Sequence, residues 1–139
     1  MSPRPPEFLS DFRILDIAEG WETRRLQLMQ DFAVYSAVLK DVVTAPALFE
    51  FDGESIPTFL HWLVPPFGQS KRGACIHDYL YRFGGYLNTK GTFISVTRKQ
   101  ADRVYFELVT LKGLPWWRAR MRYTVLRLVG WHAWKASTK

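Results

Sequence analysis

The sequence predicts an α+β fold: a small antiparallel sheet in the N-terminal half, then three or four helices, two of them packed antiparallel. Three observations predict it. Short runs of strand formers crowd residues 24–52, helix start and stop signals dominate from residue 55 onward, and strands and helices are segregated along the chain instead of alternating. At 139 residues the chain fits a single domain spanning 1–139. An aromatic content of 16% supplies the bulk for a core without cross-links. Cys75 is the lone cysteine, which excludes an intramolecular disulfide and a multi-thiolate zinc cluster.

Residues 1–12 read as a loose lead-in, because Pro3, Pro5 and Pro6 oppose helix. Arg24–Met29, Phe32–Val38, Val42–Val43 and Leu48–Phe51 read as strands, separated by Gln30-Asp31, Lys40-Asp41 and Pro46. Phe49 and Phe51 alternate with Glu50 and Asp52, the pattern of a half-buried strand.

The stretch 56–83 reads as mainly helical. Ser55 is placed to cap a short helix entered at Pro57 and stopped at Pro65-Pro66. Ser70 is placed to cap a second helix that runs to Phe83 and ends at Gly84-Gly85. A loop follows, with a hairpin around Gly91. Thr97 and Gln100 fit a capping box that opens a helix over 97–112, ended by Gly113. Pro115 opens a last helix over 115–130, with Gly130 at its end.

The chemistry concentrates in Cys75-Ile76-His77-Asp78-Tyr79-Leu80-Tyr81. His77 and Tyr81 are four apart and share a helical face, while Asp78 points about 100° away. Polar groups on an apolar helix are costly without partners. Asp102 is a second polar group, early in the next long helix, amid Ala101, Val104, Tyr105 and Phe106. If the two helices pack antiparallel, Asp102 faces His77. A carboxylate oriented on imidazole holds one tautomer and raises its basicity. Asp78 then faces a separate spot, where it can ligate a hard cation, with Asp52 or Glu54 available to complete a shell. The bland alternative is a buried hydrogen-bond network that ties two helices together. Cys75 is expected to be a small core residue, and His61 and His132 surface residues without ligand-spaced partners.

The His-Asp-x-x-Tyr helix, followed by Ala-Asp-x-x-x-Phe on a second helix, resembles the core of phospholipase A2, most closely the compact viral-capsid versions that lack disulfides. That resemblance implies His77 as general base, Asp102 orienting it, Tyr81 bracing Asp102, and Asp78 binding a calcium ion that stabilises the oxyanion. A wider pattern covers residues 24–134: Phe51-Asp52-Gly53-Glu54-Ser55-Ile56-Pro57, Pro65-Pro66-Phe67-Gly68, the His-Asp-Tyr-Leu-Tyr-Arg run, Ala101 to Phe106 and Tyr123 to Gly130. It resembles a family of uncharacterised proteins of tailed phages and prophages. The expected function is therefore a phage-encoded, calcium-dependent lipid-ester hydrolase; the alternative is a non-catalytic virion, assembly or host-interaction protein.

The formal net charge is +6, and residues 114–139 hold six basic residues and no acid, so the rest of the chain balances to zero. Four of the six tryptophans share that tail. Trp116, Trp117, Arg118, Arg120 and Arg122 form a candidate face for an anionic membrane surface or phospholipid headgroup. Arg118 and Arg122 repel at i,i+4, which Glu107 or an anionic ligand could offset. Met121, Val125 and Leu128 are expected on the apolar side. Other phage structural proteins are a further partner class, and nucleic acid ranks last. The proline-rich start and the lack of a long apolar run predict no signal peptide and no transmembrane helix, hence host cytoplasm or virion.

Overall fold

The structure is a computed structural model that describes residues 4–17, 25–52, 71–131 and 134. Along the described chain the strands are β1 (Glu7–Phe8), β2 (Ile14–Asp16), β3 (Arg25–Leu28), β4 (Phe32–Ser36), β5 (Asp41–Ala45) and β6 (Glu50–Asp52). Then follow α1 (Lys71–Phe83), the hairpin strands β7 (Gly85–Leu87) and β8 (Phe93–Ser95), α2 (Arg98–Leu111) and α3 (Trp116–Val129). This is the expected α+β order, with the strands gathered into antiparallel sheets β1-β4-β5 and β2-β3-β6 and the hairpin β7-β8.

The lead-in is not loose throughout. Glu7 and Phe8 pair with Tyr35 and Val34, and just beyond the lead-in Ile14, Leu15 and Asp16 pair with Leu28, Gln27 and Leu26. Strands this short have no independent stability; pairing with β4 and β3 holds them, which local propensity cannot reveal. The helix expected after Ser55, Ser55 itself, His61, Ser70 and His132 lie outside the described residues.

The helix signals are realised where they can be seen. Gly84 leaves α1 at φ 69°, the left-handed turn that favours glycine. The Thr97 side chain accepts from Gln100 N–H, and the Gln100 side chain accepts from Thr97 N–H, completing the capping box. Gly130 is required by close approach: a Cβ there would fall 2.6 Å from the Tyr81 hydroxyl.

Alternation on β4 turns Phe32, Val34 and Ser36 inward. Phe32 and Val34 join Leu26, Leu28, Val43, Phe51, Ile76, Leu80, Val104 and Leu108 in the main core, between the sheets and the first two helices. A second cluster, with Tyr105, Val109, Leu114, Ala119 and Leu126, lies between α2 and α3. Gly73 lies against Tyr105 and Val109, while Tyr81 reaches Asp102, so α1 and α2 run antiparallel as expected. The buried stripe of α3 is Ala119, Arg122 and Leu126, and Leu128 is exposed. That stripe is one residue, or about 100° of rotation, from the Met121, Val125 and Leu128 face expected from apolarity.

Candidate functional site

The two antiparallel helices bring the polar positions of their apolar faces together. His77 comes from the middle of α1 and Asp102 from the second turn of α2. Both are buried, at 1% and 0% exposure. His77 Nε2 lies 2.8 Å from Asp102 Oδ1, and the Tyr81 hydroxyl donates to that oxygen at 2.5 Å. The His77 ring is packed 4.0 Å from the Tyr81 ring and 5.4 Å from the edge of Tyr105, centroid to centroid, so its orientation is fixed by packing as well as hydrogen bonding.

The second carboxylate oxygen has partners that the sequence reading missed. Arg127 Nη1 on α3 donates to Asp102 Oδ2 at 2.9 Å, and Arg98 Nη1 lies 3.6 Å from the same atom. Arg98 also donates to the backbone oxygens of Leu126 and Arg127, at 3.0 and 3.2 Å, which covers the end of α3. The Arg98–Asp102 spacing is i,i+4 and was there to be read. Arg127 lies in the basic tail, and no local spacing ties it to Asp102.

Burial pushes the Asp102 carboxyl up, but the hydrogen bonds from His77, Tyr81 and Arg127 outweigh it and hold the group below the usual carboxylate range. An ionised carboxylate only accepts, so the Nε2 proton and the phenol proton both point at Oδ1. Nδ1 is then the ring nitrogen that can exchange a proton. Burial, followed by the hydrogen bond to Asp102, raises the Tyr81 phenol far above its ordinary value, so it stays a donor.

Asp78 stands apart from the cluster, half-buried, with Arg82 Nη2 donating to Oδ2 at 3.1 Å. Asp52 ends β6, paired with Arg25, and its side chain lies outside the described residues. Among the described residues no group of three or more His, Cys, Asp or Glu is placed to hold a metal ion. Cys75 is a buried core residue as expected; burial, then the charge of Asp78, pushes its thiol up.

The surface candidates divide. Trp116 and Trp117 are exposed, at 62% and 55%, and Arg118 and Arg120 lie beside them over the Trp117 and Tyr123 rings. Arg122 does not belong to that face. It is 1% exposed, with Nη1 3.4 Å from the Tyr105 hydroxyl, because it sits in the buried stripe of α3. Glu107 does not serve Arg122 either. It accepts from the Ser36 hydroxyl and from Val38 N–H at 3.2 Å, fastening α2 to the end of β4.

A family model described as "Protein of unknown function (DUF1353)" matches residues 26–126, most of the chain. The chain belongs to the DUF1353 family. The matched span runs from β3 into α3 and contains His77, Asp78, Tyr81, Arg98 and Asp102 of this DUF1353 chain, while Arg127 lies one residue past its end. No curated protein and no solved structure matches the chain. Among the described residues no helix is long and apolar enough to cross a membrane.

Proposed function

We propose that this chain is a phage-encoded ester hydrolase of the phospholipase A2 kind, with His77 as its general base. The observation that supports it best is the 2.8 Å contact between His77 Nε2 and Asp102 Oδ1. That contact fixes the ring and leaves Nδ1 to take a proton from water as the water attacks an ester carbonyl. The same proton passes to the leaving alkoxide as the carbon–oxygen bond breaks. Asp102 stabilises the transient imidazolium, and Tyr81 and Arg127 hold Asp102. Calcium, bound with Asp78, would stabilise the oxyanion; to ligate it, the carboxylate must exchange its Arg82 partner for the ion. The exposed Trp116 and Trp117, with Arg118 and Arg120, would seat the protein on an anionic phospholipid surface.

A second reading is favoured by two further observations. His77 is 1% exposed, and Asp102 is flanked by two guanidinium groups. In that reading the cluster is a structural clamp on three helices, and the chain is a non-catalytic phage virion, assembly or host-interaction protein. The hydrolase reading requires the wall over the His77 ring to open; the clamp requires nothing to move.

Fatty-acid release from anionic phospholipid vesicles, with calcium or with chelator, separates the two. The hydrolase reading expects turnover that falls by about 10²–10⁴-fold in His77→Gln, falls in Asp78→Asn, and ceases with chelator while circular dichroism is unchanged. It also expects calcium to raise the thermal midpoint of the unaltered chain and not of Asp78→Asn. No release above the His77→Gln background, with no calcium shift, leaves the clamp.

A further inference from the structure

The region read as a loose lead-in forms one wall of an open cavity of about 530 Å³. Phe8, Asp11, Phe12 and Arg13 line one side, Arg72 from the first turn of α1 another, and Lys112 from the end of α2 a third. Three cations and one acid give the lining a net charge of +2. Among the described residues, Arg13, Arg72 and Lys112 form no ion pair with a carboxylate. Arg72 is held in place: its guanidinium lies 5.2 Å from the Phe12 ring centre and 5.7 Å from that of Phe8. Phe12 is itself anchored on Phe32 at 4.8 Å and on Phe51 at 6.2 Å, both core residues. A guanidinium laid over core-anchored rings is pre-oriented, and its outward donors suit two oxygens of a phosphoryl group.

We propose that this cavity binds an organic phosphomonoester, its dianionic phosphoryl group held by Arg72, Arg13 and Lys112. The charge matches a dianion. The volume falls in the range of small-molecule sites, about 300–1,000 Å³, and exceeds what a bare phosphate fills. Phe8 and Phe12 offer apolar edges to the organic part. The phosphoryl group can come from a soluble ester or from a phosphomonoester lipid headgroup. The site is lined by none of His77, Asp102 or Asp78 and stands independently of the hydrolase reading.

Calorimetric titration of the full chain with glycerol 3-phosphate, and co-sedimentation with phosphatidylcholine vesicles containing phosphatidic acid, test it together. Saturable binding of either probe should weaken about tenfold or more in Arg72→Gln and in Lys112→Gln, the loss expected for one charge-assisted contact. It should be unchanged in His77→Gln and, for the soluble probe, in Arg118→Gln. Binding of the soluble ester assigns a soluble source; binding of phosphatidic acid vesicles alone, with the same Arg72 and Lys112 dependence, assigns a lipid headgroup. Lys112 is exposed and its replacement leaves packing intact, so a folding defect in Arg72→Gln does not shelter the proposal. Binding of neither probe, or binding indifferent to both substitutions, overturns it.

Discussion

Replacing Asp102 with Asn tests the central cluster without changing its volume. The amide keeps one oxygen, which can still accept from Tyr81 and His77 at Oδ1. Its NH₂ group then replaces Oδ2, where Arg127 donates at 2.9 Å. A donor faces a donor, and two guanidinium groups lose their counter-charge. Removing one partner of a buried ion pair costs about 3–5 kcal/mol. The lower end applies here, because the Arg127 and Arg98 side chains are 31% and 17% exposed and can recover some hydration. About 3 kcal/mol is a large share of the roughly 5–15 kcal/mol that holds a folded domain. In urea, with a slope of about 2 kcal/mol/M, the midpoint should fall by about 1.5 M. The loss should depend on pH with a definite sign. The folded carboxyl is held below its unfolded value, so its stabilisation is present above the ordinary carboxylate range, near pH 4, and fades as pH falls through the lowered value. The gap between the two proteins should close on acidification. A midpoint shift below about 0.5 M at neutral pH with an unchanged slope, or a gap that widens in acid, would refute the reasoning.

Other consequences are checked by the same methods. Thr97→Ala removes an exposed cap and should cost about 1 kcal/mol by urea denaturation, with no change in the buried cluster. Gly73→Ala sets a helix-propensity gain of about 1 kcal/mol against a Cβ placed 2.8 Å from Val109 Cγ1. Overpacking costs about 1–3 kcal/mol, so thermal melting should show a net loss, and a gain would mean that α1 and α2 sit further apart. Burial raises the Glu107 carboxyl despite the hydrogen bonds it accepts from Ser36 and Val38. A raised acid favours folding below its unfolded value, near pH 4.3, and loses that contribution as pH rises through the folded value. Glu107→Gln should therefore lose less stability than the unaltered chain between acid and neutral pH. Burial also raises the Tyr79, Tyr81 and Tyr86 phenols, so a phenolate absorbance titration of the folded protein should show a fraction that ionises above the ordinary tyrosine value, about 10. A titration completed within the ordinary tyrosine range while the protein stays folded would count against the buried hydroxyl network.

What could be read in advance was whatever local chemistry decides. Phe32–Ser36 announces itself by its strand formers, Glu50–Asp52 by alternation, and Thr97 with Gln100 by a box whose two bonds need no other part of the chain. His77 and Asp102 were legible because a polar side chain in an apolar helical stripe demands a partner. Glu7–Phe8 and Ile14–Asp16 were not, since pairing with distant strands outweighs the prolines before them. Arg122 and Arg127 failed for a related reason. Basic residues spaced among tryptophans look solvated, and only the rotation of α3 decides which of them turn inward. The helix reads one way by apolarity, but small Ala119 permits close approach of α2, and burial follows that seam.

The two oxygens of Asp102 divide its work, and that division bears on what the cluster is for. Oδ1 meets groups on α1, His77 and Tyr81, while Oδ2 meets Arg127 of α3 and Arg98 of its own helix. A carboxylate needed only to pair with arginine has no use for an imidazole, and one needed only to orient an imidazole gains nothing from a guanidinium that draws its charge away. With both, the negative charge is shared, and the pull of Asp102 on His77 is weaker than in an isolated pair. The substitutions should therefore separate. Arg127→Gln should loosen α3, seen as faster amide exchange in residues 116–129, and should strengthen the hold of Asp102 on His77. His77→Gln should leave amide exchange in α3 unchanged and slacken the contact of α1 with α2. If Arg127→Gln raises hydrolysis of a lipid ester while lowering the melting temperature, the guanidinium trades activity for stability. If both variants lose stability alike and neither turns over ester, the cluster is one cooperative clamp with Asp102 at its centre.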